Sequence, residues 1–175
     1  SILGVLKAGA AYLPLDLTYP SERLRFMIMD SEATCLISTS NIHPLSPSEH
    51  NNPDDKNIVT TYYLNEPSLI KQLEELPYSP LLDCERQEPL CWDQLAYVMY
   101  TSGSTGKPKG VGFLAGSLIN LIKWKLGELP NSGLCKVLQY SPIGFDASAQ
   151  EIVTALSSGS TLALIDEERR RDSIK

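Results

Sequence analysis

Between positions 101 and 109 the chain gathers the hydroxyls of Thr101, Ser102, Ser104 and Thr105, the glycines Gly103 and Gly106, and the lysines Lys107 and Lys109. Glycines let backbone N–H groups turn inward around an anion, because no Cβ restricts φ and ψ. Hydroxyls add donors, and a lysine brings a mobile positive charge. Together these groups suit a polyphosphate, which points to a nucleotide ligand. A solvated Gly/Ser linker would share the composition. It would have no reason to follow directly on the apolar run at 95–100, or to set Pro108 between two lysines. The spacing is not that of an ATPase P-loop, which needs four residues between its glycines and then Gly-Lys-Ser/Thr. Nor is it the dinucleotide fingerprint, since no acidic residue lies on a second strand at the expected distance.

The elements around this loop alternate between helix and strand. Residues 2–8 read as a helix stopped by Gly9, and 11–15 as an extended segment. Ser21 is expected to cap a helix with Leu24, Met27 and Ile28 on one face. Strands are expected at 34–38, 58–64, 95–100, 137–140 and 161–165, and helices at 69–76, 118–126 and 148–156. Irregular loops are expected near 40–57 and 77–94, where Pro, Ser, Asn and Asp collect. Alternation of this kind predicts an α/β fold built mainly of parallel βαβ units.

The motifs resemble those of the adenylate-forming superfamily, which includes acyl-CoA synthetases, luciferases and the adenylation domains of non-ribosomal peptide synthetases. Residues 95–111 resemble its phosphate-loop signature. Residues 6–16, with Tyr19, Pro20, Ser21, Glu22, Arg23 and Leu24, resemble an early core motif of the peptide-synthetase branch. Phe145, Asp146, Ala147 and Ser148, followed by Gln150, Glu151 and Ile152, resemble a later one. The three stand in family order. The resemblance implies that residues 1–175 are a partial adenylation domain, from the large N-terminal subdomain of that fold. It also leads us to expect an internal piece of a larger protein, without the family's adenine-contacting loop, magnesium-binding glutamate and C-terminal lysine.

By the same resemblance, Thr101, Ser102, Gly103, Ser104, Thr105 and Gly106 would wrap the β- and γ-phosphates of ATP. Lys109 and Thr105 would serve catalysis, with Lys109 neutralising phosphate charge, whereas Lys107 falls at an open position. Asp146 would pair with the α-amino group of an amino-acid substrate, with Ala147 and Gln150 as pocket walls. A structural reading of Asp146 as a helix cap stands beside this one. Ser148 with Glu151 three residues on would form a capping box that makes that cap unnecessary. Where many family members carry a histidine, this chain has Ala115, and Gly112 replaces a larger residue.

The activity so implied is formation of an aminoacyl adenylate from ATP with release of pyrophosphate, then thioester loading onto the phosphopantetheine of a carrier domain, beside a condensation domain. Magnesium would accompany ATP, its ligand falling outside these residues. Two alternatives stay open: an acyl- or aryl-CoA ligase taking a plain carboxylate, and a non-catalytic nucleotide-binding remnant. On its own the 175-residue chain is expected to form no adenylate.

Bulk properties agree. A net charge of −6 and a pI near 4.9 argue against nucleic acid as partner, which wants a basic face. No apolar run approaches the roughly 20 residues of a bilayer span. Cys35, Cys84, Cys91 and Cys135 show neither CxxC spacing nor a paired histidine, which suits buried or incidental reduced thiols of a cytoplasmic chain. His43 and His50 fall in a polar loop with no partner in sequence. Trp92 and Trp124 read as core or rim rather than as stacking platforms.

Overall fold

The computed structural model describes residues 1–39, 59–103, 107–128, 135–166 and 169–170. The expected loop at 40–57, with His43 and His50, lies outside these residues. The helices are α1 (Ile2–Lys7), α2 (Ser21–Asp30), α3 (Pro67–Glu74), α4 (Ala115–Glu128) and α5 (Asp146–Ser157). The strands are β1 (Cys35–Ser38), β2 (Thr60–Tyr63), β3 (Leu95–Ser102), β4 (Pro108–Leu114), β5 (Lys136–Gln139) and β6 (Thr161–Leu164). Strand β1 pairs with β2, and β5 with β6, both in parallel. Helix α5 connects β5 to β6, so these three elements make a βαβ unit of the expected kind. The fold is mixed α/β with parallel strand pairs, as the sequence leads us to expect.

One pairing departs from the parallel pattern. After β3 the chain reverses and returns as β4, antiparallel to it. Strand β4 was not expected because Pro108, Gly110 and Gly112 are poor strand formers. Their partners explain why they are tolerated. Tyr100 lies opposite Gly110, and a Cβ added there would come within 3.0 Å of the Tyr100 ring. The ring covers the glycine backbone and supplies packing that the glycine lacks.

Strand β3 runs through the middle of the core. Ala96, Tyr97, Met99 and Tyr100 are buried, and the cluster around them adds Tyr12, Leu118, Ile122 and Ala149. The segment after α1 joins β3 on its other side. Tyr12 N donates to the Ala96 carbonyl at 3.2 Å, and Val98 N donates to the Tyr12 carbonyl at 3.0 Å. Tyr97 stacks on Phe113 of β4 with centroids 4.5 Å apart, and its ring stands 5.6 Å from that of Tyr12.

Helix ends follow local chemistry, with two corrections. Gly9 (φ 81°) and Gly159 (φ 71°) turn the chain just beyond α1 and α5, a left-handed conformation that side chains disfavour. Ser21 does not cap α2: it is the first helical residue, Pro20 holds the cap position, and no side chain caps that end. Burial follows the sequence there, with Leu24 and Met27 inside. Helix α4 begins against carbonyls of the segment that precedes β3. Its first two N–H groups, of Ala115 and Gly116, donate to the carbonyls of Gln94 (2.8 Å) and Trp92 (2.9 Å).

The irregular stretch at 77–94 is tied down rather than loose. It contains a 3₁₀ turn, Asp83–Glu85. Arg86 pairs with Asp83 and donates from Nε to the last carbonyl of α1, that of Lys7, at 2.7 Å. Trp92 and Trp124 are both more than half exposed, each with a lysine over its ring, and so belong to the rim.

Candidate active site

Burial along β3 ends at Tyr100, and the polar candidates begin at the next residue. Thr101 and Ser102 are exposed and Gly103 half-buried, while Lys107 and Lys109 are exposed on the returning side. The register pairs Thr101 with Lys109 and Ser102 with Pro108. Directly opposed residues project from the same face of an antiparallel pair, so Thr101 and Lys109 stand side by side. The Thr101 hydroxyl also reaches the Lys109 carbonyl, at 3.4 Å. Gly103 N donates to the Lys107 carbonyl at 3.2 Å, carrying the pairing one step past Ser102 and Pro108. Ser104, Thr105 and Gly106 lie outside the described residues. Among the described residues, no carboxylate forms an ion pair with Lys109. Exposed hydroxyls, a lysine and a glycine backbone at one hairpin end form a donor set suited to phosphate oxygens.

A second tie fixes the base of this hairpin. The Tyr100 hydroxyl donates to Asp30 Oδ2 at 2.7 Å, joining β3 to the end of α2, while Phe26 meets the Tyr100 ring edge-on. Burial, then this hydrogen bond and the carboxylate charge, push the Tyr100 phenol well above its usual range, so it stays a donor. Tyr100→Phe is expected to cost about 1–2 kcal/mol, because Asp30 loses its donor. The check is a lowered denaturation midpoint with an unchanged far-ultraviolet spectrum.

Asp146 opens α5. Phe145 holds the cap position, and Asp146 Oδ1 accepts from Ala147 N at 2.8 Å. A carboxylate is favoured there by the positive end of the helix. Asp146 and Ala147 are exposed and Gln150 is half-buried, so all three candidate positions sit at the open start of one helix. The expected capping box does not form. Because α5 starts two residues before Ser148, that residue lies inside the first turn and is fully buried. Its hydroxyl donates backwards to the carbonyls of Phe145 (2.7 Å) and Ile143 (3.1 Å). Glu151 reaches instead to the chain leaving β5.

Tyr97 brings hairpin and helix together, a role that its place in an apolar strand did not reveal. Burial first, and then the charge of Asp146, push the Tyr97 phenol up. Ala149, one turn beyond Asp146, packs in the same cluster as Tyr97. Burial and then Tyr97 push Tyr12 up to about 12. Both phenols are therefore neutral near pH 7. The strand leading to the phosphate-type donors and the helix carrying Asp146 thus share one core.

That pairing of a glycine- and hydroxyl-rich hairpin with an acidic helix start occurs in a chain that belongs to the AMP-binding enzyme family, whose match spans residues 1–175. The relatives include several peptide synthetases. Novobiocin biosynthesis protein H of Streptomyces niveus is 37% identical over 164 residues, 94% of this chain and 26% of that protein. Bacitracin synthase 1 of Bacillus licheniformis is 36% identical over 177 residues, 98% of this chain and 3% of that protein. Phosphinothricin tripeptide synthetase PhsB of Streptomyces viridochromogenes is 38% identical over 174 residues, 98% of this chain and 13% of that protein. The chain therefore spans about a quarter or less of the length of these relatives.

Among the described residues, no three His, Cys, Asp or Glu side chains gather as a metal site would require, and no helix is long and apolar enough to cross a membrane.

Proposed function

We propose that this chain is part of an adenylation domain that activates an amino acid with ATP for non-ribosomal peptide synthesis. One observation carries the reading: the hairpin bearing Thr101, Ser102, Gly103 and Lys109, and the helix opened by Asp146, Ala147 and Gln150, pack through a common core. In the reaction a carboxylate oxygen of the amino acid attacks the α-phosphorus of ATP. A P–O bond forms to the substrate, the bond to the β-phosphate bridge breaks, and pyrophosphate leaves with the electron pair. Thr101, Ser102, Gly103, Ser104, Thr105 and Gly106 bind the β- and γ-phosphates; Lys109 offsets the charge that collects on the leaving group, and the Thr105 hydroxyl serves the same step as a donor. Asp146 holds the α-ammonium, and Ala147 and Gln150 wall the side-chain pocket. The chemistry depends on positioning and charge neutralisation, not on a protein nucleophile.

The adenylate is then taken by the phosphopantetheine thiol of a carrier domain, with a condensation domain acting next. Magnesium would accompany the nucleotide, its ligand falling outside residues 1–175. The peptide-synthetase relatives and the acidic residue at the start of α5 favour an amino acid over a plain carboxylate. We place the protein in the cytoplasm, where four exposed free thiols stay reduced.

Hydroxylamine trapping tests this reading. The intact protein with ATP and amino acids is expected to yield an amino-acid hydroxamate, and residues 1–175 alone to yield none. Trapping driven by fatty or aryl acids, with none by any amino acid, would replace the reading with that of an acyl or aryl ligase.

A further inference from the structure

Glu151 lies five residues beyond Asp146 on α5, yet its carboxylate is not engaged with the helix. Oε2 accepts from Tyr140 N at 3.0 Å and from Ser141 N at 3.1 Å, and Oε1 accepts from the Ser141 hydroxyl at 2.7 Å. Gln139 Nε2 stands 3.5 Å from Oε2 and donates to the Ser141 carbonyl. These groups belong to the end of β5 and the first residues of the loop that leads to Asp146. At the other end of that loop, the buried Ser148 hydroxyl holds the carbonyls of Ile143 and Phe145, and Phe145 N donates to the Pro142 carbonyl at 3.0 Å. The loop at 140–145 is thus pinned at both ends by the helix it delivers.

A carboxylate is well suited to this task, because it only accepts and can serve several donors with charge assistance. The start of α5 needs such support, since Phe145 provides no side-chain cap. We propose that Glu151 is a positioning residue for amine recognition: by anchoring Tyr140 and Ser141 it fixes the loop and the first turn of α5, and so sets where the Asp146 carboxylate meets the substrate ammonium. Glu151 itself touches no substrate. The inference rests on the reading of Asp146 given above.

The test is pyrophosphate-exchange kinetics of the intact protein carrying Glu151→Gln or Glu151→Ala. The substrates are the amino acid that drives the strongest exchange and its des-amino analogue. Glutamine keeps one acceptor but turns an NH₂ group toward backbone donors; alanine removes both acceptors. We expect kcat/KM for the amino acid to fall about 10-fold for Glu151→Gln and up to about 100-fold for Glu151→Ala, the scale of a small misplacement of a binding group. The preference for the amino acid over its analogue should fall by the same factor, with KM for ATP steady.

A residue that only stabilises the fold would lower the denaturation midpoint and leave KM and the preference intact. That result would overturn the inference. Asp146→Ala, measured alongside, separates the two claims. If it abolishes the preference while both Glu151 variants keep it, the inference fails and the Asp146 reading stands. If Asp146→Ala keeps the preference, the reading itself fails. Should Glu151→Ala not fold, Glu151→Gln decides.

Discussion

Lys109→Ala is expected to lower kcat for adenylate formation by about 100- to 1,000-fold in the intact protein, the usual effect of removing one charge-stabilising group from a reacting centre. Lys109 is the exposed cation beside Thr101 at the hairpin end, with no carboxylate paired to it among the described residues. Charge on the leaving pyrophosphate grows as the bond breaks, so a cation placed to meet it stabilises the transition state more than bound ATP. The loss should therefore appear in kcat more than in the KM for the amino acid. Lys107→Ala provides the contrast. It removes an equally exposed lysine two residues away, at a position assigned no role, and should change kcat less than about threefold. Single-turnover formation of the adenylate separates the two variants. Equal effects would mean that the hairpin acts through its overall charge and not through one placed lysine.

Asp146→Ala should reduce kcat/KM for the amino acid by about 10- to 100-fold, in line with the loss of one charge-assisted hydrogen bond. The KM for ATP should hold, because the residues proposed to bind the nucleotide belong to the segment 101–109 and not to α5. The decisive readout is selectivity. A des-amino analogue lacks the ammonium that Asp146 would hold, so the wild type should discriminate against it and the variant should not. Asp146→Asn should fall with the alanine variant, because it keeps the shape and loses the charge. Stability should change little. Among the described residues Asp146 bonds only its neighbour's N–H, and α5 is anchored by Ser148 and Glu151.

Much of this arrangement was legible in the sequence, for physical reasons that differ by element. The apolar run at 95–100 reads as a strand because it is buried on both faces, and the loss of burial at Thr101 coincides with the change to polar residues. Gly9 reads as a stop because a left-handed residue is needed there. Leu24 and Met27 read as one helix face because their spacing matches the helical period. The exact start of α5 was less accessible: Asp146 and Ala147 are compatible with loop or helix, and a two-residue shift turned an expected capping box into a clamp on the preceding loop. Strand β4 could not be read from Pro108, Gly110 and Gly112. Its stability comes from partners on β3, above all the Tyr100 ring over Gly110. The shared cluster of Tyr97 and Ala149 joins residues far apart in the chain, and no local pattern encodes it.

Exchange of labelled pyrophosphate into ATP by the intact protein, measured across the amino acids and a set of fatty and aryl acids, tests the central claim most directly. The account predicts exchange that depends on one or a few amino acids and is absent with the acids that lack an amine. Exchange driven by a plain carboxylic acid, or none with any amino acid, would contradict it.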